Sequence, residues 1–100
     1  MILYNITTKV DWSVHDEWLE WMKEKSIPDL VDTFFFDFKM LRLLHIDDTD
    51  GPTYAVQYFT ESIALYKKFV EIQLNIHSQK ESNKWGDNVI SFSTVMEVVY

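Results

Sequence analysis

The strongest constraint on this chain is the order in which its hydrophobic period changes: two, three to four, two, two, three to four, two. That order reads strand, helix, strand, strand, helix, strand, and it fills all 100 residues with almost no linker. The first strand spans Ile2 to Val10, with Ile2, Tyr4, Ile6 and Val10 on one face and Leu3, Asn5 and Thr7 on the other. Ser13 is placed to cap the first helix, with Asp16 at its third position. Val14, Trp18, Trp21, Met22 and Lys25 form that helix's stripe. Pro28 cannot continue a helix but can open one, so a short helical piece is expected from Ile27 to Thr33.

The second strand lies in FFFDFKMLRLLHI, starting near Phe36, and DDTDGP is the clearest turn in the chain. Pro52 has no N–H, so the third strand begins after it, in TYAVQYF. Ser62 caps a second long helix. Its expected stripe is Leu65, Phe69, Ile72 and Ile76, with Tyr66, Val70, Gln73 and His77 alongside. Gly86 ends it after a polar stretch, Ser78 to Lys84, read as frayed. NVISFSTVMEVV supplies the last strand. The expectation is one α+β domain, residues 1–100: a ferredoxin-like βαββαβ sandwich, a four-stranded antiparallel sheet with two helices on one face.

Composition removes several classes of function. A net charge of -7 repels phosphate backbones and anionic lipid, so neither nucleic acid nor a membrane surface is an expected partner. With no cysteine, disulfides, thiol catalysis and cysteine-held metals are excluded, which suits a reducing compartment. No basic leader precedes an apolar run, and no apolar run nears the ~20 residues of a membrane span. A soluble cytoplasmic protein is the expectation.

The strands are apolar on both sides. Met40-Leu41-Arg42-Leu43-Leu44 alternates nothing cleanly. Tyr54, Val56 and Tyr58 oppose Ala55 and Phe59, and Ile90, Phe92 and Met96 oppose Val89 and Val95. Helices cover one face of such a sheet; the other face would leave several hundred Å² of apolar surface in water. Pairing of two sheets into a homodimer removes it, and explains an aromatic content of 16%.

YNITTKV, HDEWLEWMKEKSIPDLVDT, TYAVQYF and ISFSTVMEVV together resemble the domain-of-unknown-function 4286 family of small bacterial proteins, above all over HxxWLxWM, IPD and YxVQY. The resemblance spans essentially the whole chain and implies a dimeric α+β barrel. No activity comes with it. The family often has His just before Ile-Pro-Asp, where this chain has Ser26. The wider barrel superfamily includes cofactor-independent monooxygenases and haem-degrading enzymes. Haem-degrading members place an Asn on the first strand, a Trp late on the third and a His on the second helix. Asn5 and His77 sit at roughly matching places, but Phe59 or Thr60 occupies the Trp region.

Two readings follow. The first is a homodimeric binding or scaffold domain without catalytic activity, with no cofactor or metal. The second is a small-molecule enzyme of the cofactorless-oxygenase or haem-handling type. Its pocket would lie between sheet and helices, with Asn5, Gln57 and His77 lining it and Tyr4, Trp18 and Tyr58 forming an apolar wall for a small apolar ligand. Among the other histidines, His15 reads as first-turn surface or a loop contact, and His45 as solvated. The turn Asp47-Asp48-Thr49-Asp50-Gly51 fails as a calcium loop. With Gly51 at the sixth position, Ile46 and Gln57 fall where Asp and Glu are needed. TYAVQYF resembles an RNA-binding strand but lacks its glycine and basic residue.

Overall fold

A computed structural model describes residues 1–100. The strands are β1 (Ile2–Val10), β2 (Asp37–Arg42), β3 (Thr53–Thr60) and β4 (Val89–Glu97). They form one antiparallel sheet in the order β2-β3-β1-β4. The helices are α1 (His15–Trp21), α2 (Ile27–Leu30), α3 (Ile63–Phe69) and α4 (Asn75–Trp85), all crossing the same face. The expected ferredoxin-like sandwich is the fold observed.

Local chemistry explains the boundaries. The Asp11 carboxylate accepts from Ser13 N–H at 2.9 Å and caps a tight turn at Trp12–Val14, so Ser13 does not cap α1 as expected. Ser62 does cap α3, accepting from Leu65 N–H at 3.3 Å. Gly86 ends α4 at a positive φ of 55°. Gly51 packs against β1 so tightly that a Cβ there would lie 1.7 Å from the Val10 carbonyl oxygen, a space open only to glycine.

Both long helical segments contain a π-turn, which closes i→i+5 and so takes in one extra residue. The first, Met22–Ser26, joins α1 to α2, with Ile27 N–H donating to the Met22 carbonyl. Pro28 follows with no N–H to offer Glu24, and the chain passes it without breaking. The helix then ends at Leu30 rather than Thr33. The second, Val70–Leu74, joins α3 to α4. Of the expected stripe only Phe69 is buried: Leu65 in α3 is 44% exposed, Ile72 within the π-turn 52% and Ile76 beyond it 50%, while His77 and Trp85 turn inward. Trp85 pins the polar stretch Ser78–Lys84, which is helical rather than frayed.

The layer between sheet and helices is filled with rings. Tyr4 packs against Phe35, Tyr58, Tyr66 and Phe69 at centroid separations of 5.4 to 6.3 Å. Trp18 is fully buried at one end, 5.2 Å from Tyr54, as its place on the α1 stripe predicts. No helix is long and apolar enough to cross a membrane.

Candidate functional site

Strand alternation sends every second side chain of β1 to the face that carries no helices. The registers set these residues in rows. Lys39, Gln57, Asn5 and Thr94 stand side by side across all four strands. Asp37, Phe59, Leu3 and Met96 form the row on one side; Leu41, Ala55, Thr7 and Phe92 form the row on the other, with Ile90 beyond. Phe92 and Ile90 are 64% and 65% exposed. Two apolar bands therefore flank one polar strip.

Asn5 lies at the centre of that strip and is only 9% exposed. Its amide nitrogen donates to Thr7 Oγ1 at 3.1 Å, while its Oδ1 is buried with no partner. An unpaired buried acceptor costs about 1–3 kcal/mol, so its placement in the middle of a flat open face is costly for an isolated chain.

The two π-turns produce a second feature. Ser26, the last residue of one, and His77, just beyond the other, meet between the helices with Oγ 3.3 Å from Nε2. Ser26 is 1% and His77 5% exposed. Burial holds the imidazole below its ordinary range; Asp29 draws it back up and Lys80 pushes it further down. The ring is neutral at pH 7, and at these exposures no substrate reaches Ser26 Oγ. The pair is a polar bolt between two helices.

Beside it, the Tyr58 hydroxyl is fully buried with no hydrogen-bond partner. Burial, with Glu81 and Tyr4 adding, raises it well above the ordinary phenol range, and Ser26 acts weakly the other way. Toward the β4 edge, Thr8 and Ser91 hydroxyls meet at 2.9 Å and Ser91 Oγ donates to Glu81 Oε1 at 3.3 Å. Burial lifts the Glu81 carboxyl above its usual range, and Ser91 opposes the lift.

The structure does not bring the expected pocket residues together. His77, Tyr4 and Tyr58 lie on the helix side of the sheet, whereas Asn5 and Gln57, opposite each other in register, lie on the bare side. Trp18 packs with Tyr54, away from the Tyr4–Tyr58 cluster. Rings occupy the space the pocket needed. His15 stacks on Tyr54 of β3 with Nε2 2.7 Å from the Tyr54 hydroxyl, a contact to a strand rather than the expected surface or loop position, and His45 is exposed. The Asp47 carboxylate serves its own turn by accepting from Thr49 N–H and Oγ1. Ser26 was visible in the sequence only as a departure from its family's pattern; its pairing with His77 depends on π-turns that leave no periodic mark.

Solved structures share this architecture. A dimeric ferredoxin-like protein from an uncultured marine organism is 11% identical, with 99% of this chain and 95% of that one covered at a TM-score of 0.69. A Deinococcus radiodurans protein that bears the description antibiotic biosynthesis monooxygenase is 9% identical, with 100% and 94% covered at 0.72. A variant of SnoaB, a cofactor-independent oxygenase from Streptomyces nogalater, is 11% identical, with 99% and 94% covered at 0.61. At these identities the likeness is one of fold. No curated protein matches the sequence. The family described as Domain of unknown function (DUF4286) matches residues 1–99, and the chain, with its helix-backed sheet and bare opposite face, belongs to that family.

Proposed function

We propose that this protein is a cytoplasmic homodimeric binding or scaffold domain without catalytic activity, joined to its second copy through the bare face of the sheet. The observation that carries this reading is the polar strip between two apolar bands, with Asn5 Oδ1 unpaired at its centre. A two-fold axis through such a face sets apolar band on apolar band and lets Asn5 or Gln57 of one copy donate to Asn5 Oδ1 of the other. The size fits. Four strands about 4.8 Å apart and eight residues at about 3.3 Å make a plane of roughly 500 Å². With side-chain relief this approaches the ~800 Å² per partner of a standard interface. The marine relative is itself described as dimeric, as is one from Jannaschia. The cysteine-free composition supports a reducing compartment.

The oxygenase names among the relatives supply the competing reading, a small-molecule enzyme. It needs a reactive group open to a cavity, and the sealed Ser26–His77 pair and ring-filled interior speak against one. Haem titration is expected to give no Soret shift. Sedimentation equilibrium at micromolar concentration tests the dimer directly: a dimer mass is expected, and a clean monomer overturns the reading.

A further inference from the structure

We propose that the cleft between the two helical segments is a binding site for a small phosphate-bearing molecule. At about 500 Å³ it is within the range of ligand pockets and larger than the other principal clefts, which measure 240 to 330 Å³. Trp21, Lys25, Asp29, Lys80, Asn83 and Lys84 line it. Carboxylates outnumber Lys and Arg by 16 to 9 in this chain, yet three of the nine cations converge here against a single carboxylate.

None of the three lysines has an ion-pair partner, since the ion pairs of the molecule are His15–Asp16 and Arg42–Asp48. Lys80 and Lys84 are i,i+4 neighbours on α4, a spacing at which like charges destabilise a helix. An anion in the cleft reverses that cost. Lysine ammonium groups are mobile point charges suited to phosphate oxygens.

The other lining groups agree with this assignment. Asn83 Oδ1 already accepts from Gln79 Nε2 at 3.0 Å, which leaves its amide N–H groups to donate into the cleft. Lys84 Nζ sits 5.1 Å over the Trp85 ring, and Trp85 packs edge-on against Trp21 at 5.8 Å. Trp21, backed by the buried Trp85, is a stiff apolar wall on which a planar group attached to the phosphate can lie. The cleft is on the helical side, away from the bare sheet face, so dimerisation leaves it open. His77 reports on its occupancy, because the charges of Asp29 and Lys80 both reach that ring.

Isothermal titration with pyrophosphate, ATP and adenosine tests the site. Pyrophosphate and ATP are expected to bind, ATP more tightly through Trp21, and adenosine is not. Lys80→Ala with Lys84→Ala removes exposed side chains and leaves the core intact. It is expected to weaken ATP binding about tenfold or more, whereas Lys67→Ala, an exposed lysine of α3 outside the cleft, leaves it unchanged. Anion binding is also expected to raise the His77 titration midpoint followed by NMR. Absence of ATP binding at millimolar concentration, equal binding of adenosine, or equal loss in the Lys67→Ala protein overturns the proposal.

Discussion

The two faces of this sheet are built from the same kinds of residue and have opposite fates. On one, Tyr4, Val56 and Tyr58 vanish under helices; on the other, Leu41, Ile90, Phe92 and Met96 stand in water. On the helix side Ser26 and His77 are bolted between helices, while the Tyr58 hydroxyl and the Trp18 indole N–H are buried as isolated polar atoms on rings. The bare side carries a polar strip through its middle. Hydrophobicity alone therefore does not distinguish a core from an interface; the placement of polar atoms does. This core scatters single polar atoms among its rings, whereas a pairing surface can use a central polar row to set register between copies.

The largest effect belongs to the helix side. Trp18→Ala removes a fully buried ring and is expected to cost about 3–5 kcal/mol, read as a fall in the urea midpoint. An unchanged midpoint would erase the contrast between the two faces. Phe92→Asp strikes the bare side. There we expect the dimer to weaken by roughly 100-fold in sedimentation, about 2.7 kcal/mol, while the fold survives. If this variant unfolds as readily as Trp18→Ala, the bare face is acting as core.

Ser26→Ala leaves His77 Nε2 unpaired and should cost about 1–2 kcal/mol by chemical denaturation. The pH dependence has a definite sign. Because the folded His77 titrates below its ordinary value of 6.5, the unfolded chain binds the proton more readily. Its contribution is full above 6.5 and is lost as pH falls through the folded value. His77→Gln should remove that part of the slope; an unaltered profile would place the titrating group elsewhere. The smallest effect is that of Glu81→Gln. Its folded value lies above the ordinary 4.5, so the native protein loses stability as pH rises through it. A gain below about 1 kcal/mol is expected at neutral pH, vanishing below 4.5; a loss at neutral pH would mean that the carboxylate is satisfied where it lies.

The strands were legible because their period of two admits no drift: Tyr54, Val56 and Tyr58 point in and Ala55 and Phe59 out, as the alternation demands. The second long helical segment was less legible. A 3.6-residue stripe through Phe69 selects Leu65, Ile72 and Ile76 for the core, but Leu65 already faces out ahead of the π-turn, and the inward line runs through Tyr66, Phe69 and His77. The residues of the expected pocket between sheet and helices divide for a simpler reason. Asn5 and His77 were matched by element, although the alternation of β1 had already set Asn5 on the face opposite Tyr4. Capping falls to Asp11 rather than Ser13 because a tight turn precedes α1, and such turns carry no hydrophobic signature.

A π-turn is also what a helix becomes when one residue is inserted and both ends are held in place. Each of the two here can accordingly be undone by a single deletion. Winding Met22–Ser26 as ordinary helix at its present length would give better-aligned hydrogen bonds, yet swing α2 by roughly 100°. Ile27 and Leu30, both buried, would be carried toward solvent. A locally improved helix would thus yield a worse protein. The awkward turns persist because the sheet beneath reads the helix by its contacts, so the length of these segments is under tighter control than their composition.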